Sequence, residues 1–525
     1  MSTSFRGGFS DKNSSSTAGG AANRAVELSL RGFLTGAVFV GAEDIAVTRC
    51  AHRAADCQPG DVFIPLHSAA GDEHENIDQA VKRGAVAVVT ERLLPVSIPQ
   101  CLVDDTREVY GRVCQALVGH PSQRMLTIGI VGTHGKTTTA LFVSAMLKRL
   151  GGGVAYYTSL GASDSTSCDR TATRPPAARK LARWMEQAEL AGAPAVVVEL
   201  TPSMLQQQVT AGVEFDLLIL TGMRPSQTRG NAGQAHFAEL MRRVSENLKS
   251  HGMLLYNADD ALASQWAQGS GLDCVDYGLD AAQHVRGKRL SRCGSEQQLL
   301  TMTGNLLMPL TLKMPGDHVA RAAMASVAVA WMFDFSVPDA IAGIEAMDSI
   351  PGRMQRLRSA VEVPLLIDAG ETPDRVAVAL HALRQHQMGP TTVVMDLSCR
   401  LDPQWRQRLG EVLDKGAERI VLSASGLSAS AAQSLAMDVL GGCRSPGRVQ
   451  VIADRVAAIE WAVEHTNSGS ILLAGCGISS WTDRQGNSVT DESVAKSALT
   501  HKNYALPMPL LSIFPPAAAA PIVTH

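Results

Sequence analysis

Leu126-Thr-Ile-Gly-Ile-Val-Gly-Thr-His-Gly-Lys-Thr-Thr138 is the stretch that decides the reading of this chain. Its first six residues form an apolar run rich in β-branched side chains, the composition of a buried strand. Gly132 to Gly135 make a turn. The segment from about Lys136 to Leu150 reads as a helix, stopped by Gly151-Gly152-Gly153. A loop that leaves a strand and opens a helix turns its backbone N–H groups inward, and the helix dipole adds positive potential. Gly132, Thr133, His134, Gly135, Lys136, Thr137 and Thr138 therefore read as a phosphate cradle. In it Lys136 reaches the outer phosphates and the Thr137 hydroxyl holds Mg²⁺. The strict eight-residue spacing of such loops asks for glycine at position 130; this chain has Ile130, flanked by Gly129 and Gly132.

Working outward, Ala195-Val-Val-Val-Glu199 and Phe215-Asp-Leu-Leu-Ile-Leu220 are further buried strands. With the intervening helices they predict a parallel sheet covered on both faces. Upstream, Asp61–Pro65 and Ala85–Thr90 read as strands and Asn76–Arg83 as a helix. Downstream of Pro351-Gly352-Arg353, strand candidates at 364–368, 391–395, 419–422, 450–452 and 471–474 alternate with helical stretches, predicting a second doubly wound unit. The fold class expected is α/β in three domains: a small N-terminal one over 22–124, a central phosphate-loop domain over 125–350 and a C-terminal one over 351–503. The Ser/Gly-rich 1–21 and Pro/Ala-rich 504–525 tails are expected to be disordered.

Composition narrows the class. At roughly 150 residues per domain, 525 residues agree with three domains. A net charge of -3 gives no electrostatic case for nucleic acid or an anionic membrane, and 4% aromatics leaves few stacking platforms for single strands. Ten cysteines include no C-x-x-C pair, so they read as reduced cytoplasmic thiols rather than metal ligands. The first twenty residues carry no apolar signal core. Leu506 to Val523 is apolar but holds five prolines, too many for a membrane helix.

The loop resembles the G-T-N-G-K-T-T signature of the Mur ligase family, and the resemblance runs from about residue 45 to 497. It is most similar to the branch that adds the third peptide residue, the UDP-N-acetylmuramoyl-tripeptide synthetases. That resemblance implies an N-terminal UDP-substrate domain, a central ATPase domain and a Rossmann-like C-terminal domain. It implies ATP and Mg²⁺ as cofactors, a UDP-N-acetylmuramoyl peptide and an amino acid as substrates, and a monomer. Lys136 and Glu199 take the catalytic roles, Thr137 and Glu199 the metal. Glu199 begins Glu199-Leu-Thr-Pro-Ser-Met-Leu205, which resembles E-V-S-S-H-A-L, and closes a buried strand where a carboxylate faces the nucleotide metal. Arg53 of Ala51-His52-Arg53, Thr173 of Thr173-Arg174-Pro175, Thr201 and Gln207 fall on substrate positions. Arg353 of Pro351-Gly-Arg-Met354 and Asp368 of Asp368-Ala-Gly-Glu-Thr-Pro-Asp374 fall on interdomain positions.

The departures are also specific. Ser226 and Gln227 stand where the family has an Asp-His pair that includes a metal ligand. Met241 stands where a carbamylated lysine helps hold a second Mg²⁺, and a thioether does not serve a cation that demands hard oxygen ligands. Glu239, about 200° away around the helix, faces elsewhere. Glu371 replaces a histidine, and the D-N-P-R signature that reads diaminopimelate is absent from Ser423–Ser430. Two expectations follow. One is an ATP-dependent amide ligase of peptidoglycan synthesis working through an acyl phosphate, with His236 or Glu371 recruited to the metal. The other is a catalytically degenerate relative that binds MgATP as scaffold or regulator. A folylpolyglutamate- or cyanophycin-type ligase is a weaker match, because the N-terminal pattern follows the muramoyl branch.

Overall fold

The computed structural model describes residues 27–68, 71–170, 175–223, 230–357, 363–398 and 402–501. Both tails, and the readings placed on Thr173-Arg174 and Ser226-Gln227, lie outside the described residues. Among the described residues no helix is long and apolar enough to cross a membrane.

Three large sheets follow one another along the chain, beside three two-stranded ones among the described residues. The first holds five short strands in the order Val38–Val40, Gln100–Leu102, Ala87–Thr90, Val62–Phe63, Cys50–Ala51, parallel except at the first pairing. The strand expected over Asp61–Pro65 shrinks to two residues. Pro65 has no N–H to offer a ladder, and the Asp61 carboxylate turns back to accept the Gln58 N–H at 2.9 Å. The helix expected over Asn76–Arg83 spans Ile77–Lys82.

The central sheet has eleven strands. Its parallel heart runs Val154–Thr158, Ala195–Glu199, Leu126–Val131, Phe215–Leu220, Leu248–Asn257, Cys274–Gly278. All six residues of Leu126–Val131 except Leu126 are buried, as a strand covered on both faces requires. One face packs the phosphate-loop helix Lys136–Arg149 and the helix Asp317–Met332; the other packs Ala178–Leu190 and Gly230–Ser245. Sequence reasoning missed the antiparallel meander Val285–Cys293, Glu296–Thr303, Leu306–Leu312 that extends the sheet. Its sequence signal is the pair of two-residue turns Gly294-Ser295 and Gly304-Asn305; in the structure Glu296–Thr303 buries every second residue.

The C-terminal sheet runs Gln355–Leu357, Leu365–Asp368, Ser470–Ala474, Thr391–Asp396, Arg419–Ser423, Val449–Val451, all parallel but the first. Each strand expected from sequence is present within two residues of its expected ends. Arg455 is buried at the carboxyl edge of this sheet. It donates to both oxygens of Asp491 at 2.7 and 2.6 Å, to Ser423 Oγ and to the Ala474 carbonyl. No cysteine among the described residues is in a disulfide.

Candidate nucleotide site

Register builds the site. The strand Leu126–Val131 lies between Ala195–Glu199 and Phe215–Leu220, with Ile130 opposite Glu199 and Val131 opposite Leu220. All three strands therefore end at the same height. The phosphate loop, Glu199 and Thr221 emerge together at the carboxyl edge, where open parallel sheets bind ligands. Gly132 sits at φ 138°, in the left-handed region. A Cβ there would lie 2.2 Å from Thr221 Oγ1, so glycine is required by contact as well as by conformation. Thr221 Oγ1 donates to the Val131 carbonyl at 3.1 Å, and the Thr133 N–H donates to the Gly222 carbonyl at 3.1 Å, pinning the loop to the neighbouring strand end. Gly135, at φ 80°, opens the helix at Lys136.

Lys136 is buried, and its ammonium donates to the Gly132 carbonyl at 2.8 Å across the loop. Burial pushes its pKa down to about 8. Glu199 opposes that shift, and the guanidiniums of Arg375 and Arg353 add to it. Thr137 Oγ1 stands 3.0 Å from both oxygens of Glu199. The Ser159 N–H donates to Glu199 Oε2 at 2.8 Å, and Ser159 Oγ lies 3.0 Å from Thr137 Oγ1. Sequence reading did not single out Ser159. It follows the strand Val154–Thr158, and only the sheet order shows that this strand neighbours Glu199.

Two buried hard-oxygen side chains, Thr137 and Glu199, face each other beside a phosphate loop. That donor set suits one Mg²⁺. Among the described residues no group of three His, Cys, Asp or Glu side chains is arranged to hold a metal ion. Met241 is fully buried in the apolar layer that contains Leu205, Phe237 and Val244. Glu239 is bonded to Arg242 and Arg243 on the surface, and His236 is exposed. His134 Nδ1 lies 3.0 Å from Thr133 Oγ1 within the loop.

The C-terminal unit closes over this edge. Arg353 Nη2 donates to Ser159 Oγ at 3.5 Å, a bridge between residues 194 positions apart. Asp368 holds the linker in place: its Oδ2 accepts the Met354 N–H at 2.9 Å and its Oδ1 the Gly370 N–H at 2.8 Å. Burial lowers the proton affinity of Arg353, which Asp368 and Glu199 counter.

Among the described residues, the substrate candidates Arg53, Thr201 and Gln207 contact their own sequence neighbours. Thr201 caps a short helix by accepting the Met204 N–H at 3.2 Å, and Gln207 Nε2 donates to Ser203 Oγ at 3.4 Å. Arg53 is exposed, 4.0 Å from Asp56. Its neighbour His52 instead lines a cavity of about 450 Å³ between the first two units, together with Tyr110, Asp164, Arg179, Arg183 and Trp184. His52 Nδ1 lies 3.0 Å from Tyr110 Oη, and burial lowers the pKa of the ring.

Comparison with known proteins gives this geometry a family. The model of the Mur ligase middle domain matches residues 130–330, and that of the Mur ligase glutamate ligase domain matches 352–477. The UDP-N-acetylmuramoyl-L-alanyl-D-glutamate–2,6-diaminopimelate ligase of Chromobacterium violaceum is 29% identical over 468 residues, covering 84% of this chain and 92% of its own. That of Geobacillus thermodenitrificans is 25% identical over 431 residues, covering 80% and 87%. A solved structure of a ligase of the same name superposes with a TM-score of 0.64 at 20% identity, covering 87% of this chain and 95% of that one. The MurF ligase of Thermotoga maritima in complex with ADP gives 0.58 at 15%, covering 81% and 93%. The likeness spans the phosphate loop, the sheet edge beside it and the unit that closes over both, and on that ground the chain belongs to the Mur ligase family.

Proposed function

We propose that the protein is an ATP-dependent ligase that joins an amino acid to a UDP-N-acetylmuramoyl peptide through an acyl phosphate. The observation that carries this reading is the buried Thr137–Glu199 pair beside Lys136, with Arg353 reaching in from the C-terminal unit. The loop amides and Lys136 hold the β- and γ-phosphates of ATP in line with the acceptor carboxylate. Mg²⁺, when bound at Thr137 and Glu199, neutralises part of the charge that builds up on the transferring phosphoryl group. Arg353 closes the cleft against water and adds a cation on the opposite side. The cations Arg179 and Arg183 in the cavity beside His52 suit the diphosphate of a UDP-linked substrate. The three domains are assigned to 22–124, 125–350 and 351–503, holding the UDP substrate, ATP and the incoming amino acid in that order.

The test is ATP turnover with UDP-N-acetylmuramoyl-dipeptide and an amino acid mixture, beside Lys136→Ala. Phosphate release that needs both substrates and disappears in the variant supports the ligase. One observation favours a second reading, a MgATP-binding scaffold that has lost catalysis: Met241 is sealed in the apolar core, so the second metal of the family has no ligand there. Nucleotide binding without turnover selects that reading.

A further inference from the structure

Ser159 stands where three parts of the cleft meet, and the sheet builds its position. The strand Val154–Thr158 runs parallel to Ala195–Glu199 with Tyr157 opposite Val198, so it ends just short of Glu199. The chain turns back there: Thr158 pairs with Gly161, leaving Ser159 and Leu160 as the turn. Thr158 Oγ1 locks that turn, donating to the Gly161 carbonyl at 3.0 Å and accepting the Leu160 N–H at 3.2 Å. From this fixed point Ser159 touches the metal pair on one side and the C-terminal unit on the other.

Counting protons sets the direction of these contacts. The Thr137 hydroxyl has one proton, and its strongest neighbouring acceptor is the Glu199 carboxylate, 3.0 Å away at both oxygens. Ser159 Oγ, 3.0 Å from Thr137 Oγ1, is therefore the donor of that pair, while its lone pairs accept Arg353 Nη2 at 3.5 Å. A chain runs from cation to anion: Arg353 donates to Ser159, Ser159 to Thr137 and Thr137 to Glu199. Its Arg353 link is the longest, at the outer limit of a hydrogen bond. A Mg²⁺ held by Thr137 and Glu199 takes a lone pair of Thr137 Oγ1 and makes its O–H a stronger donor. Ser159 then accepts from Thr137, and its own proton is freed for an anionic oxygen in the cleft. A hydroxyl that donates to an anion is a better acceptor, so its hold on Arg353 tightens.

We propose that Ser159 is a positioning residue that couples the Thr137–Glu199 metal pair to the docking of the C-terminal unit: its hydroxyl turns from donor to acceptor toward Thr137 when the cation is loaded, and so draws Arg353 over the phosphate loop. This deepens the ligase reading and rests on its nucleotide site. Hydrogen bonds are exchanged and no covalent bond changes. The cleft closes against water around a loaded cation, which ties phosphoryl transfer to the closed arrangement.

The experiment is a double-mutant cycle read by binding. Mn²⁺ is titrated, at saturating ADP, into full-length wild type, Ser159→Ala, Arg353→Ala and the double variant. Arg353→Ala is expected to weaken Mn²⁺ about 5- to 10-fold when Ser159 is present, the scale of one hydrogen bond to a charged group, and less than about twofold in the Ser159→Ala background. Any contact of Arg353 with the nucleotide itself cancels in the cycle. Amide exchange gives a second readout: Mn²⁺ with ADP is expected to raise protection over residues 352–354 in wild type and to leave it unmoved in Ser159→Ala. Ser159→Thr keeps the hydroxyl and is expected to behave as wild type in both measurements. An equal effect of Arg353→Ala in the two backgrounds, or a Ser159→Thr variant that behaves as Ser159→Ala, overturns the coupling while the ligase reading stands. Failure of the wild type to bind ADP with Mn²⁺ removes both.

Discussion

His386 is a direct probe of how the C-terminal unit is held against the central one. The residue is fully buried. Its Nε2 accepts the Gly316 N–H at 3.1 Å and its Nδ1 donates to the Gly294 carbonyl at 2.9 Å, so one neutral ring joins two backbone groups of the central unit. His386→Ala removes both bonds and leaves the buried Gly316 N–H without a partner, while the half-buried Gly294 carbonyl turns to solvent. At about 1 kcal/mol per bond, plus about 1 kcal/mol for the stranded Gly316 N–H, local opening becomes easier by about 3 kcal/mol. Because 1.4 kcal/mol is tenfold, the Gly316 amide is expected to lose about 10²-fold or more of its exchange protection at pH 7.5.

The same contact carries a pH dependence. Nε2 must be unprotonated to accept, and burial holds the ring's pKa below its usual 6.5. The Gly294 carbonyl and Asp317 oppose that shift, and Arg292 adds to it. The opened state therefore takes up the proton first. Protection at Gly316, corrected for intrinsic exchange, is full above about pH 6.5 and falls as the pH drops from there through the folded-state value. In His386→Ala that dependence disappears. Amide exchange read by mass spectrometry at pH 7.5 and pH 5 checks both parts. Wild-type protection equal at the two pH values, or variant protection within twofold of wild type at pH 7.5, would refute the reasoning.

Lys136→Met is expected to abolish stabilisation by nucleotide: MgATP at 100 times its Kd raises wild-type stability by about 2.7 kcal/mol, visible as a shift in melting temperature, and leaves the variant unmoved. Gly132→Ala drives a methyl group into Thr221 Oγ1 and forces a non-glycine residue to positive φ, so ATP affinity is expected to fall at least about tenfold, measured by calorimetry. Asp491→Ala leaves the Arg455 guanidinium buried without its main partner, and urea unfolding is expected to show a loss of about 3–5 kcal/mol in the C-terminal unit. Met241→Leu conserves volume in an apolar layer and is expected to cost under about 1.5 kcal/mol with turnover unchanged; a large fall in turnover without loss of stability would place Met241 in the chemistry after all.

Local pattern carried the phosphate loop and most of the sheet strands. Leu126–Val131 and its loop are legible because an apolar β-branched run, three glycines and a Lys-Thr pair lie within thirteen consecutive residues, and each acts through its immediate neighbours. Glu199 was legible for the same reason, as the polar end of a buried run. Pattern stops where chain separation begins. That Glu199 lies beside the loop follows from the parallel register of Ile130 against it, which depends on crossover helices and not on the composition of either strand. Ser159 and the reach of Arg353 into the cleft come from strand order and from the angle at which the C-terminal unit docks. Met241 reads in the sequence as a lost ligand position, and only the helix face shows that it belongs to the apolar layer. Periodicity reports which face of an element avoids water. It does not report which element covers that face, and here that choice puts Thr137, Glu199, Ser159 and Arg353 within bonding distance.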